Sequence, residues 1–335
     1  MACIAKRRGR YIIDFYDTEG KRRWKTMPQG STKAKAKEAL RAIEEQLLKG
    51  IYLPSKKTPI FSKVAGDWLN YKRANIRITT WEMYRGHLQH HFDEINSLKI
   101  NRISTAIVEN FISKRQANNM NITTLRKIII TFNQIMNYSV RHKYIDHNPV
   151  RDAERPKSRG LIETHIVEPL STTEINILLS AEKDMKYKTL FTLAIMSGAR
   201  QGELLGFKWT DVDWKNNQIY IQRTYNKGRW FMPKSKASNR RIDLGPSMID
   251  ELKKWKIDCL DCELELMFPN QAGNPMSQSG MLKRHFFPVL KKAGVKRIRF
   301  HDLRHTYASL LIEQGENIKY IQSQLGHSSP TMTLN

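Results

Sequence analysis

The chain has 335 residues, enough for two or three domains, and 57 Lys and Arg against 32 Asp and Glu give it a net charge of +25. A hydrophobic content of 40% excludes a wholly disordered chain, three cysteines exclude a disulfide scaffold, and no apolar run is long enough to cross a bilayer. Basic residues are in excess along the whole chain, so nucleic acid is favoured as a partner over an anionic membrane surface.

The amino-terminal region has the pattern of a small sheet followed by one helix. Aromatic and β-branched residues over 11–16 and the segment 21–26 flank a glycine-containing turn, which predicts a β-hairpin. Apolar residues then recur at helical spacing over 31–49, and Ser31 or Thr32 is placed to cap that helix.

The second region has the pattern of a helical bundle. Residues 60–148 carry four stretches with apolar residues at helical spacing. Thr79, in a capping box, and Ser104 are placed to cap two of these helices. Segments rich in proline and charge over 51–59 and 148–169 predict linkers on either side of the bundle.

The third region, residues 170–335, is the largest and mixes helices with short strands. Ser171 has capping-box spacing with Glu174, and an apolar helix is predicted over 190–196. Strands are predicted at 219–221, 230–232 and 241–244. The fold class is therefore multidomain α+β: a small sheet plus helix, a helical bundle, and a mainly helical domain with a small antiparallel sheet.

Four short motifs follow one another in this third region. They are Gly198-Ala199-Arg200-Gln201-Gly202-Glu203-Leu204, then Pro233-Lys234-Ser235-Lys236 with Asn239-Arg240-Arg241-Ile242-Asp243-Leu244, then His301-Asp302-Leu303-Arg304-His305, and last Leu325-Gly326-His327-Ser328-Ser329. Each is weak alone, because Arg200 with Glu203 also fits a surface ion pair and H-x-x-R arises often by chance. All four in this order are hard to explain by chance.

The ordered motifs resemble the catalytic domain of the tyrosine recombinases, the phage and mobile-element integrase family. The resemblance covers the whole chain and implies an arm-type DNA-binding domain with a three-stranded sheet over residues 1–55, a helical core-binding domain over 60–150 and a catalytic domain over 165–335, as in lambda-like integrases. The function it implies is site-specific DNA recombination, in which DNA is cut and rejoined through a 3′-phosphotyrosyl intermediate to integrate or excise a phage or other mobile element.

The resemblance also implies roles for five residues. Arg200 and Arg304 match the two family arginines that bind the nonbridging oxygens of the reacting phosphate. Arginine suits this task because its planar fork binds phosphate bidentately and keeps its proton. His301 and His327 match the family positions that assist at the phosphate, and Glu203 matches the acid that orients its basic neighbours.

The family lysine, which protonates the leaving 5′ oxygen, sits on a β-hairpin turn. The resemblance implies Lys236 for this role, with Lys234 as the alternative, because one sequence does not fix the register of a hairpin. The nucleophilic tyrosine of the family follows the Leu-Gly-His motif and would fall just beyond Asn335. We therefore expect a chain that ends at Asn335 to be a truncated integrase that binds DNA without cleaving it, with neither Tyr307 nor Tyr320 as nucleophile.

No cofactor is expected, because the phosphotyrosyl link conserves the bond energy and the sequence has neither a P-loop nor a metal-binding carboxylate cluster. Cys259 and Cys262 form a lone C-x-x-C that does not indicate zinc. The resemblance implies double-stranded DNA with core and arm sites as partner, a homotetramer on synapsed duplexes, an accessory DNA-bending protein and an excision factor, all in the cytoplasm of a bacterial host. No membrane partner is expected.

Two other functions are compatible with these residues. A non-catalytic DNA-binding regulator would use the same domains, but it has no chemical need for the set of Arg200, Lys236, His301, Arg304 and His327. A type IB topoisomerase would use the same phosphate chemistry, but it has no need for a second, arm-type recognition domain.

Overall fold

A computed structural model of the chain describes residues 2–17, 20–50, 58–157, 168–232, 239–327 and 329. Two compact units make up the chain, Met1–Ile162 and Glu163–Asn335. The predicted mixed architecture of helices and small antiparallel sheets is confirmed, whereas the three domain boundaries stay a prediction. Within the described ranges, no helix is both long enough and apolar enough to cross a membrane.

A three-stranded antiparallel sheet packed on one helix begins the first unit. Its elements are β1 (Cys3–Arg7), β2 (Arg10–Tyr16), β3 (Arg22–Thr26) and α1 (Lys33–Leu48), with the strands in the order β1-β2-β3. Alternation along β2 buries Ile13 and Phe15 against Ile43 of α1 and turns the opposite face of the sheet outward. Thr32 rather than Ser31 caps α1, since the Thr32 hydroxyl accepts a backbone N–H of the first turn at 3.3 Å. The predicted hairpin and helix are both confirmed.

A helical bundle completes the first unit. Its helices are α2 (Phe61–Arg73), α3 (Ile78–His91), α4 (Asp93–Asn96), α5 (Thr105–Ala117), α6 (Ile122–Arg141) and α7 (Pro149–Asp152). Four phenylalanines, three from helices and one from the junction of α3 and α4, meet at the centre, with ring centroids 5.2–5.5 Å apart: Phe61, Phe92, Phe111 and Phe132. Ser104 caps α5 as predicted, by accepting the N–H of Ile107 at 3.4 Å.

The predicted capping box at Thr79 is wrong. Helix α3 begins at Ile78, two residues before the start that a cap at Thr79 requires, and Arg77 takes the capping position without a side-chain hydrogen bond to the helix. Thr79 therefore lies inside the first turn, where its hydroxyl is not placed to cap the helix.

The beginning of the predicted linker over 148–169 belongs to the bundle. Asn148 is 4% exposed, and its amide donates hydrogen bonds to the side-chain oxygens of Asn133 and Asn137 at 2.8 and 2.9 Å. Its own side-chain oxygen caps α7 through the N–H of Val150. A residue that is typical of linkers by composition thus anchors the chain to α6 through buried hydrogen bonds. Residues 51–57 and 158–167, which cover most of the first predicted linker and part of the second, lie outside the described part of the chain.

The second unit packs helices around two small sheets. Its helices are α8 (Thr172–Ala181), α9 (Met185–Ser197), α10 (Gln201–Leu204), α11 (Pro246–Asp258), α12 (Gln278–Met281), α13 (Phe287–Ala293), α14 (Asp302–Glu313) and α15 (Ile318–Leu325), and its strands are β4 (Val212–Asp213), β5 (Gln218–Ile221), β6 (Thr224–Asn226), β7 (Arg229–Phe231) and β8 (Arg240–Asp243). One sheet has the order β4-β5-β8 and the other is the hairpin β6-β7. The capping box of Ser171 with Glu174 is confirmed.

Two clusters of apolar side chains fix the geometry of this unit. The larger surrounds α9, whose Leu190, Phe191 and Ile195 are fully buried. The smaller joins α14 to α15 through Tyr307, Leu325 and two neighbouring aliphatic side chains. Tyr307 and Leu325 also lie against the carboxyl end of α9, so α9, α14 and α15 meet there. Three of the four predicted motifs begin at ends of these helices, and the fourth contains Arg240 of β8.

Candidate active site

The first predicted arginine stands at the start of α10, directly after α9 ends. Arg200 donates two hydrogen bonds to Glu203: its backbone N–H donates to Oε2 at 2.8 Å and its guanidinium to Oε1 at 2.9 Å. Glu203 is 1% exposed, whereas the side chain of Arg200 is 36% exposed. One carboxylate therefore caps the short helix and aims the arginine at the same time.

A second arginine reaches the same carboxylate from β8. Arg240 is 8% exposed, and its two terminal nitrogens donate to the two oxygens of Glu203 at 3.3 and 3.1 Å. Burial opposes ionisation of Glu203, but the charges and hydrogen bonds of Arg240 and Arg200 outweigh it and hold the pKa of the carboxyl below its usual range. Glu203 is thus ionised at neutral pH and is shared by two arginines.

The other predicted arginine lies in the first turn of α14. Arg304 is 4% exposed and donates to the carbonyl oxygen of Gly198 at 2.7 Å and to that of Leu325. In the described part of the chain it forms no ion pair with a carboxylate. Burial, followed by the charges of Arg200 and Arg240, lowers the pKa of Arg304 to about 9, so its guanidinium stays protonated at pH 7.

The net positive charge of this cluster indicates what the cluster can bind. Three arginines, Arg200, Arg240 and Arg304, share one buried carboxylate, Glu203, among the described side chains. Buried charge that lacks a counter-ion is costly, and an anion bound beside the arginines would remove that cost. The arrangement is therefore that of an anion site with a fork-shaped donor set, which suits the oxygens of a phosphate.

The two predicted histidines flank the arginines at helix ends. His301 occupies the position before α14, and His327 follows the Gly326 that ends α15. Burial of part of its ring, and then the charge of Arg304, lower the pKa of His301. Burial and then the charges of Arg304, Arg200 and Arg240 lower the pKa of His327 to about 4. Both imidazoles are therefore held neutral beside the arginines at pH 7.

We expect the pKa of His327 to rise when an anion occupies the cluster. The arginine charges that now lower this pKa would be offset by the oxyanion, so inorganic phosphate or DNA should shift the titration of His327 upward from about 4. Without an anion, the free energy of unfolding should fall as the pH drops from about 6.5 towards 4, because the unfolded chain takes up this proton first. NMR titration of labelled histidines, assigned with His327→Gln, measures the shift. An unchanged titration at saturating phosphate would place the anion elsewhere.

The described residues do not include every predicted position. Lys236 and its alternative Lys234 lie outside the described residues. Of the two tyrosines considered, Tyr307 is 5% exposed in the α14–α15 cluster, and burial raises the pKa of its hydroxyl. Tyr320 donates to the carboxylate of Asp243 at 2.8 Å, and its pKa is also raised, first by burial. Both environments disfavour a phenolate. That neither tyrosine is the nucleophile stays a prediction.

Sequence reasoning named Arg240 within a motif but gave it no role. The signal was present in the alternation of β8, where Arg240 and Ile242 are buried while Arg241 between them is exposed. A buried arginine needs a partner, so this register already indicates a carboxylate on the inner side of the strand.

Cys259 and Cys262 follow α11 closely, and the described ranges contain no group of three metal-ligating side chains.

Comparisons with known proteins identify relatives of the chain. Residues 168–335 match the model of the phage integrase family. The chain is 30% identical over 295 residues to a tyrosine recombinase XerC-like protein of Caldanaerobacter subterraneus subsp. tengcongensis, covering 78% of this chain and 74% of that protein. It is 27% identical over 259 residues to the ICEBs1 integrase of Bacillus subtilis, covering 74% of this chain and 67% of that protein.

Two solved structures share the fold. The Tn1549 transposon integrase in complex with transposon right end DNA superposes with a TM-score of 0.68 at 19% identity, over 83% of this chain and 94% of that one. A lambda integrase tetramer bound to a Holliday junction gives a TM-score of 0.64 at 20% identity, over 98% of this chain and 96% of that one. With the family match over half of its length and a relative at 30% identity, the chain belongs to the phage integrase family and is a site-specific DNA recombinase of the tyrosine type.

Proposed function

We propose that Arg200 and Arg304 bind the nonbridging oxygens of a scissile DNA phosphodiester and stabilise the extra negative charge of the five-coordinate state. The observation that carries this proposal is the buried excess of positive charge, with three arginines and, among the described side chains, one carboxylate, that of Glu203. Because both guanidinium groups are held by protein acceptors before substrate arrives, little reorganisation is needed when the charge develops. Neutral His301 and His327 then serve as hydrogen-bonding partners of the phosphate or of the attacking hydroxyl.

The covalent step proposed for this site is a transesterification. A tyrosine oxygen forms a bond to phosphorus while the bond from phosphorus to the 5′ oxygen breaks, which leaves a 3′-phosphotyrosyl link and a 5′ hydroxyl. The proton of the attacking phenol passes to a base, for which His301 is the candidate, and the leaving oxygen takes a proton from Lys236 or Lys234. The place of the nucleophile just beyond Asn335 stays a prediction.

The first unit is proposed to bind DNA through its sheet and its helical bundle. The outward face of the amino-terminal sheet carries Trp24, which is 61% exposed, with the guanidinium of Arg22 5.7 Å from its ring, and Arg10 lies on the same sheet. A sheet of this kind can enter a DNA groove while its basic residues contact phosphates. In the bundle, Arg73 and Arg85 lie on Trp81 at 5.6 and 5.0 Å from the ring centroid.

The proposed partners follow from the resemblance to lambda-like integrases. Residues 1–55 would bind arm sites in double-stranded DNA, and residues 60–150 would bind core sites. The catalytic domain would comprise residues 165–335. A homotetramer on synapsed duplexes is the proposed active assembly, in line with the lambda integrase tetramer seen on a Holliday junction. An accessory DNA-bending protein and an excision factor are further proposed partners, and the proposed compartment is the cytoplasm of a bacterial host.

A covalent-trapping assay tests the proposed function. The protein as its gene encodes it is mixed with a nicked suicide substrate that carries the attachment site, taken from the junctions of the element in its host genome. We expect a covalent 3′-linked complex at one defined phosphodiester. Cleavage at scattered sites would instead identify a topoisomerase, and binding without any covalent product would identify a regulator, so either result overturns the proposal.

A further inference from the structure

Three successive carbonyl groups at the end of α15 each accept a hydrogen bond from a different arginine. The oxygen of Gln324 accepts from Nε of Arg240 at 2.6 Å, that of Leu325 from Arg304, and that of Gly326 from Arg200 at 3.5 Å. Three arginines that are remote from one another in sequence are therefore set at one helix terminus.

The carboxyl end of a helix can hold arginine side chains for two reasons. Its last carbonyls have no partner within the helix, and the aligned peptide dipoles place partial negative charge there. Gly326 ends α15 in the left-handed conformation, with φ of 64°, which turns the backbone away. The end of α15 thus offers fixed acceptors to cations that share one buried carboxylate in the described part of the chain.

Strand β8 holds α15 in place at both ends of the strand. At its start, Arg240 binds the carbonyl of Gln324. At its end, the N–H of Asp243 donates to the side-chain oxygen of Gln324 at 2.9 Å, and the carboxylate of Asp243 accepts from Gln324 and Tyr320 at 3.0 and 2.8 Å. Any displacement of α15 would therefore move the acceptors of Arg200 and Arg304 together.

We propose that Arg240 is a positioning residue that keeps Arg200 and Arg304 in phosphate-binding geometry, an inference that rests on the proposed function. It acts by occupying Glu203 and by tying α15 to β8. Without Arg240, both oxygens of Glu203 become available to Arg200 alone, which draws that guanidinium into a bidentate ion pair and away from the phosphate. The buried excess of positive charge falls as well.

The matched test compares Arg240→Met with Arg241→Met. Both remove one arginine charge from β8, but Arg241 is exposed on the opposite face, with its guanidinium 4.2 Å from the ring of Tyr220. We expect Arg240→Met to slow covalent-complex formation at saturating DNA about 10- to 100-fold, the range seen when outer-shell partners of metal ligands are removed. The dissociation constant for DNA should change less than about threefold, since affinity comes from many phosphate contacts. Arg241→Met should leave the rate unchanged.

The variant Arg240→Lys separates positioning from mere folding. Its ammonium group keeps a charge opposite Glu203, so thermal stability should be restored, but one point donor cannot reach both Glu203 and the carbonyl of Gln324, so the rate should stay low. A rate that follows thermal stability through all three variants would overturn the proposal, as would a normal rate in folded Arg240→Met. If wild type and Arg241→Met also form no covalent complex, the proposed function fails. The affinity for inorganic phosphate, read from the His327 titration, still decides about Arg240 in that case: a loss in Arg240→Met supports positioning and no change overturns it.

Discussion

Arg304→Ala is expected to lower the rate of DNA strand cleavage at least about 10³-fold, the scale of effect found for arginines and oxyanion donors at reacting phosphates and acyl groups. Arg304 is the arginine of the cluster without a carboxylate partner among the described residues, so its charge is the one most available to substrate. DNA affinity should fall little, and the slope of log affinity against log salt should decrease by about 1, because one phosphate contact of many is lost. Single-turnover trapping and salt-dependent binding measure the two effects.

A surface arginine of the same unit provides the control for Arg304. Arg297 is exposed and lies over the ring of Phe287 at 5.1 Å, so Arg297→Ala removes an equal charge without touching the cluster. Its cleavage rate should be that of wild type. Arg304→Lys, which keeps the charge and loses the fork, should still be strongly impaired and guards against loss of folding in the alanine variant. A parallel loss of binding and cleavage in a folded Arg304 variant would contradict the assigned role.

The parts of the site that sequence could predict are those fixed by local chemistry. Arg200 and Glu203 lie three residues apart, and the capping geometry of α10 brings them together without help from the rest of the chain. Ser104 and Ser171 likewise cap their helices as predicted, because a cap needs only the following turn. Thr79 shows the limit of such signals, since the register of a helix start is also decided by how its apolar residues pack.

The parts that sequence could not predict depend on approach between distant segments. Arg240 reaches Glu203 across 37 residues and Gln324 across 84, so its role exists only once β8, α10 and α15 are assembled. The same holds for the convergence on α15, where acceptors are backbone carbonyls that carry no sequence signature. The polar and proline-rich composition around Asn148 predicts a linker, because composition does not reveal the buried hydrogen bonds of its amide group.

Gly198→Ala is expected to lower the free energy of unfolding of the second unit by about 2–5 kcal/mol, combining a left-handed backbone with overpacking. Gly198 ends α9 at φ of 57°, where a side chain is strained. A methyl group there would overlap Cδ1 of Tyr307 and lie 3.0 Å from Leu325, both in the cluster that joins α14 to α15. Because the carbonyl of Gly198 also anchors Arg304, cleavage should fall with stability. Thermal and denaturant unfolding measure the change.

Gly294→Ala isolates the backbone part of this effect. Gly294 ends α13 in the same left-handed conformation, with φ of 64°, but no atom lies within 4 Å of the position its Cβ would take. Its substitution should therefore cost only the conformational penalty, about 1–2 kcal/mol, and leave the cleavage rate of the folded protein unchanged. The difference between the two variants measures what close packing of α9 against α14 and α15 contributes. Equal losses of stability in both would mean that Tyr307 and Leu325 shift at no cost, and that the helix ends around the arginines are not held rigidly by this contact.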